Sequence, residues 1–216
     1  MNYSTTHLWT RGERITNEDS LAIMSITINH RQYLFAAVAD GIGGLNDGEN
    51  ASCYVTSRLK TCFEDSTRQM HRITMRRLRT ILRKELYCCH QTLLTYSELH
   101  KYRTGTTCSI VCMCNRHGFI LHVGDSRIYR LRRQRLRQYT TDQQDSRHRL
   151  IRCIGCGTFH RIDSSHIHLF RHDSILLCTD GFYRPGSTDN KTAILISQER
   201  NITSDILTDI ESHYFS

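Results

Sequence analysis

Seven short apolar runs of strand length leave this chain few folds to choose from: 21–28 (LAIMSITI), 33–39 (YLFAAVA), 106–114 (TTCSIVCMC), 118–123 (GFILHV), 127–131, 166–170 and 174–179 (SILLCT). Two longer stretches with helical spacing, about 48–64 and 69–96, split the runs into two groups. Strand and helix therefore do not alternate regularly. That argues against a parallel doubly wound sheet, which needs a helix between successive strands, and predicts an α+β fold of antiparallel sheets with helices laid on them. The 216 residues are enough for one domain with a real core, and a single proline with no Gly/Ser-rich stretch or repeat offers no linker. The expectation is one domain over 1–216, with a short N-terminal arm at 1–8 and a C-terminal tail or helix at 198–216. No run of eighteen apolar residues occurs, and the N-terminus lacks a charged-then-apolar leader pattern. A cytoplasmic location and no membrane partner are expected.

Two arginine clusters, at 72–84 (RITMRRLRTILRK) and 127–137 (RIYRLRRQRLR), account for much of the net charge of +8. In the first, Met75, Leu78, Leu82 and Cys89 recur at helical spacing, which makes it an amphipathic helix with a solvated basic face. The second reads as a hairpin with its charges outward. Neither an aromatic platform nor a helix-turn-helix accompanies them, so nucleic acid is not the expected partner; phosphorylated or acidic molecules are. Several of the ten cysteines, such as Cys108, Cys112, Cys114 and Cys178, sit in apolar runs and read as buried reduced thiols. The C-x-x-C of Cys153 and Cys156 has no second pair at zinc spacing, and the thirteen histidines form no H-E-x-x-H.

The stretch VADGIGGLNDGENAS at 38–52 places Asp40 at the mouth of a glycine loop. A phosphate-cradling loop presents backbone N–H groups to an anion, and Asp40 would oppose it. The spacing matches neither a dinucleotide fingerprint nor a Walker loop, and a calcium loop would place Ile42 and Gly44 where carboxylates belong. What remains is a carboxylate on bare backbone, suited to a hard cation. Glu18, Asp19, Asp125, Asp180 and Asp189 also stand at or near strand ends. Singly, each could be a turn former. Together they would be costly to bring near one another without cations, and oxygen-only ligation points to Mn2+ or Mg2+.

In order along the chain come R-x-x-N-E-D, D-G-x-G-G with G-E-x-A-S, T-G-T-T, G-D-S-R, D-G and G-S-x-D-N-x-T. Over about residues 11–197 this series resembles the metal-dependent serine/threonine protein phosphatases of type 2C. The resemblance implies a four-layer sandwich, two antiparallel sheets flanked by helices, with two metal ions at one end. By position, Asp19, Asp40 and the Gly41 carbonyl are similar to the central metal ligands, and Asp180 and Asp189 to the far-side ligands of one ion. Glu18 resembles a group that holds metal waters. Asp125 matches a residue that, in bacterial members, helps bind a third, looser ion together with the equivalent of Asp180. Arg14 falls where the family places a phosphate-clamping arginine, a role its planar fork suits. The implied reaction is hydrolysis of phosphoserine and phosphothreonine by a metal-activated water without a covalent phosphoenzyme, opposing a serine/threonine kinase.

Three departures stand out. Ile42 replaces a histidine proposed as general acid in many eukaryotic members. The region 142–172 is short for the family's flap. Asp180 and Asp189 are nine positions apart where the family inserts a helical segment. Either GSTDNKTAILIS is the last strand with that segment deleted, or the likeness is accidental and a ligand is missing; the number of matched residues favours the first. A non-catalytic phosphatase-like protein that recognises a phosphorylated or acidic partner is the alternative function.

Overall fold

Strand β3 (Arg31–Asp40) shows why the apolar runs are continuous. Tyr33, Phe35 and Ala37 point to one face and Leu34, Ala36 and Val38 to the other, and all six are buried because both faces are covered. The computed structural model describes residues 2–42, 47–69, 73–147, 149–156, 159, 161–198 and 202–215. One sheet has the order β2 (Asp19–Ile28), β3, β4 (Cys108–Cys114), β5 (His117–Val123) and β8 (Asp163–His168). The other has the order β1 (Ser4–Thr10), β10 (Lys191–Ser197), β9 (Ser174–Cys178), β6 (Arg127–Arg132) and β7 (Arg135–Gln138). Every pairing is antiparallel.

Three cores separate four layers. Helices α1 (Gly48–Arg68) and α2 (Met75–His100) bury Val55, Leu59, Leu78, Leu82 and Leu86 against Phe35, Ile110 and Leu121 of the first sheet. Val38, Val111 and Ile120 meet Ile128, Leu177 and Ile194 between the sheets. Leu176, Ala193 and Leu195 pack against the single turn α3 (Asp180–Tyr183) and α4 (Asp205–Tyr214), through Phe182, Leu207 and Ile210. The expected α+β sandwich of two antiparallel sheets flanked by helices is the observed one.

The elements differ from the sequence reading in instructive places. Ser4–Thr10, inside and just beyond the segment read as an arm, forms β1 along β10. The polar run STTHLWT shows no apolar alternation to announce it. The second helix starts at Met75, where the Thr74 side chain accepts a hydrogen bond from the Arg77 N–H. Residues 70–72, the predicted start of that helix with Arg72 of the basic cluster, lie outside the described residues, as do Gly43 and Gly44 of the glycine loop. The basic face of α2 is solvated as expected, with Arg76, Arg77, Arg83 and Lys84 exposed. The β6–β7 hairpin turns through Arg133 and Gln134, both at positive φ (48° and 58°), the geometry of a tight two-residue turn. Its charges are not all outward: Arg132 pairs with the buried Asp173, and Arg127 lies over the Tyr183 ring while donating to Asp142. The apolar seam that turns the hairpin onto the protein brings these two guanidiniums with it.

The tail 198–216 carries α4. GSTDNKTAILIS leads into β10, which lies between β1 and β9 in its sheet. One helical turn and a short loop are all that separate β9 from β10.

Candidate active site

Asp19 and Asp40 are direct partners in the β2–β3 register, so two carboxylates face each other at one end of adjacent strands. Asp19 is buried and accepts a hydrogen bond from Thr179 Oγ1 at 2.8 Å. The Asp40 backbone is held by the T-G-T-T segment: its carbonyl accepts from Thr107 N at 2.9 Å and from Thr106 Oγ1 at 2.8 Å, and its N–H donates to Thr107 Oγ1 at 3.0 Å. Thr107 Oγ1 in turn meets Ser126 Oγ at 2.7 Å, which ties the G-D-S-R turn to the same framework. Burial and the neighbouring Asp180 and Asp189 push the Asp19 carboxyl up to about 7, and burial with Asp19 beside it raises Asp40 well above the ordinary range.

Gly41 is a point of close approach. A Cβ there would lie 2.3 Å from the Gly48 carbonyl oxygen and 2.8 Å from that of Glu18. The start of α1 and the end of the 11–18 loop therefore press on Gly41, a constraint separate from any ion. Its N–H donates to the Glu18 carbonyl at 3.0 Å. Asn190 clamps the same loop from the other side: its Oδ1 accepts from Glu18 N, and its Nδ2 donates to the carbonyls of Arg11 and Thr16. Gly12, at φ 62°, lets the loop lie on the Asp189 carbonyl, 2.2 Å from where a Cβ would stand. The loop thus delivers Arg14 to Asp189 through a two-pronged ion pair at 2.9 and 2.7 Å.

These residues line one cleft of about 520 Å3 at the end of the sandwich. Arg14, Glu18, Asp40, Gly41, Asp125, Asp180 and Asp189 all reach it, with Ile42, Arg103 and Arg184 in its walls, while Asp19 lies beneath. Every sequence-derived candidate is therefore at this end of the molecule. Sequence reasoning assigned no role to Asn190, Thr106, Thr107, Thr179 or Ser126, although all but Thr179 belong to quoted motifs. Cys153 and Cys156 also line the cleft and are joined by a disulfide, a pairing to which their spacing had assigned no role. The backbone brings their Cα atoms to 5.8 Å, within bridging reach. Cys108, Cys112, Cys114 and Cys178 are buried and free.

Hard divalent cations suit this donor set, which offers carboxylate and carbonyl oxygens and no imidazole. Among the described residues no ion pair involves Asp19 or Asp40, so the two raised carboxyls face each other without a cation. Nor do three metal-ligating side chains close on one point. Arginines account for part of that openness, since Arg14 holds Asp189 and Arg184 lies between Asp125 and Asp180.

Residues 10–200 match the family model of protein phosphatase 2C. The chain belongs to this family. It is 28% identical over 186 residues to the serine/threonine phosphatase stp of Listeria welshimeri, covering 76% of this chain and 71% of that protein. The Listeria monocytogenes stp is 27% identical over the same share of each chain. The serine/threonine phosphatase Stp1 of Staphylococcus aureus superposes with a TM-score of 0.80 at 22% identity, over 92% of this chain and 96% of that one, a likeness of fold. Membership classes the chain with the protein-serine/threonine phosphatases. Among the described residues no helix is long and apolar enough to cross a membrane.

Proposed function

We propose that this protein phosphatase 2C chain hydrolyses phosphoserine and phosphothreonine in protein substrates, with two Mn2+ or Mg2+ ions held by Asp19, Asp40, the Gly41 carbonyl, Asp180 and Asp189. The observation that carries the reading is the pair of raised carboxyls, Asp19 and Asp40, set directly opposite each other across the β2–β3 ends at the floor of an acidic cleft. Bound there, such ions supply a water of lowered pKa and neutralise charge on the phosphoryl oxygens. The chain's own residues do the rest. Arg14 already presents Nε and Nη2 as a two-donor fork to two oxygens, and the same fork suits a phosphate. Its pair with Asp189 is half-exposed and so cheap to exchange. Glu18, whose carboxyl is raised by burial, orders water at the rim. Ile42 offers no proton in the cleft wall, so the leaving alkoxide takes its proton from water.

The intended substrates are the targets of a serine/threonine kinase. Eight of the ten cysteines are free, which favours a reducing cytoplasm, with the Cys153–Cys156 disulfide the exception. The full set of cleft carboxylates weighs against the non-catalytic alternative.

Hydrolysis of p-nitrophenyl phosphate with and without Mn2+ and a chelator tests the reading. Activity should require the metal, and turnover that survives exhaustive chelation would refute it. Asp189→Asn should raise the Mn2+ needed for half-maximal rate about tenfold or more by removing one charge from the site. The exposed Asp209 on α4 is the control, and Asp209→Asn should leave that requirement alone.

A further inference from the structure

Arg184 sits at the end of α3, four residues after Asp180, and its backbone is fixed at both groups. Its N–H donates to the Asp180 carbonyl at 2.9 Å, and its own carbonyl accepts from Ser187 N at 3.2 Å. The guanidinium lies 3.1 Å from Asp180 Oδ2 and 3.6 Å from Asp125 Oδ2. Among the described ion pairs, no other cation reaches either carboxylate. Asp125 is engaged on other sides too: Gln144 Nε2 donates to its Oδ2, and Tyr183 Oη to its carbonyl at 3.1 Å. The Tyr183 ring is pinned under the Arg127 guanidinium, 3.7 Å from its centroid.

The short β9–β10 connection is what puts this arginine here. One helical turn carries Arg184 back over Asp180, and Pro185 with Gly186, at φ 64°, then turns the chain toward Asp189. Asp125 and Asp180 are the two carboxylates to which the family resemblance assigned a third ion. A hard cation binding both would have to displace a guanidinium tethered to the same helical turn and would lose a carboxylate that already accepts from Gln144.

We propose that Arg184 is a built-in cation that occupies the place of a third metal between Asp125 and Asp180, so that this chain works with two ions. The inference rests on the metal reading proposed above, and under it Asp125 pairs with Arg184 in place of the third ion that the resemblance implies. It differs from the Arg14 pair in that Arg184 spans two carboxylates, only 6% and 17% exposed at their side chains, whereas Arg14 meets one that is 37% exposed.

Counting bound Mn2+ on the full chain by electron paramagnetic resonance or calorimetry tests it without reference to turnover. Wild type should bind two ions. Arg184→Gln, checked for an unchanged circular dichroism spectrum, should bind a third and weaker one, and Arg184→Gln with Asp125→Asn should return to two. Independently of how Arg184→Gln folds, Asp125→Asn alone should leave the wild-type count unchanged. Three ions on wild type, an ion lost in Asp125→Asn, or a folded Arg184→Gln that still binds two would each overturn the inference. Wild type that binds no Mn2+ would instead overturn the metal reading beneath it.

Discussion

Arg14 and Asp189 are 175 positions apart in the chain and form one of the closest ion pairs of the cleft. Because that pair is open to solvent, its own contribution to stability is small, and its consequence is competition. Arg14→Ala should weaken substrate binding by about 1.5–3 kcal/mol, the usual worth of a hydrogen bond to a charged group, and should tighten Mn2+ binding by freeing Asp189. Steady-state KM and a Mn2+ titration read the two effects separately, and unchanged values for both would remove Arg14 from the site. Asp19 makes a second residue-scale prediction. A carboxyl raised to about 7 in the folded, metal-free protein, against about 3.9 unfolded, binds more protons folded than unfolded. Its contribution to stability therefore falls as pH rises from about 4 to about 7. His90 and His122, lowered by burial, act in the opposite sense, gaining stability as pH rises toward about 6.5. Comparison with Asp19→Asn, which also relieves the Asp40 beside it, reads the pair: between about pH 5 and pH 7.5, metal-free wild type should lose stability relative to the variant in urea melts. Parallel pH curves would contradict the raised pKa.

At the scale of elements, the site is a junction of segments held together by backbone contacts. The 11–18 loop, the β2–β3 ends, the start of α1 and the start of β10 meet at Gly41, Gly12 and Asn190. Asn190 makes three hydrogen bonds to that loop and is buried. Asn190→Ala would leave the half-buried Glu18 N–H and the carbonyls of Arg11 and Thr16 without these partners, at a cost of about 1–3 kcal/mol. Since the loop carries Arg14, KM should rise more than the Mn2+ requirement does. Chemical denaturation and kinetics together check this, and a variant as stable and as active as wild type would show that the loop is held by other contacts.

For the whole molecule, the acidic cleft joins both sheets at one end: Asp40 comes from the first sheet, Asp180 and Asp189 flank strands of the second, and Asp125 lies in the turn that leads from one to the other. An ion bound across that end ties the layers together in the folded state alone. Mn2+ at about 100 times its Kd should add about 2.7 kcal/mol, seen as a higher Tm that a chelator reverses. The gain should grow from about pH 5 to pH 8, as the carboxyls lose the protons that compete with the metal. A Tm indifferent to Mn2+ at both pH values would count against a cation at the sandwich end.

Local chemistry was enough to read antiparallel sheets with helices laid on them and the carboxylates that close their strands; the four-layer order and the end that carries the site came from the family likeness. A continuous apolar run of strand length marks a strand wherever both faces are covered, and an aspartate that closes such a run is visible in one dimension, so β3 with Asp40 and β9 with Asp180 could be recognised directly. The family likeness then assigned the roles. Strand β1 escaped because its pairing with β10 requires no apolar pattern of its own. Tertiary structure alone decided which cation meets which carboxylate, that backbone crowding demands glycine at position 41, that Asn190 clamps the Arg14 loop, and that Cys153 and Cys156 pair in the cleft wall. Each of these depends on distances between side chains or backbone groups fixed by packing, and most join segments far apart in sequence. Residue type and spacing carry no record of such distances until the sheets have closed on each other.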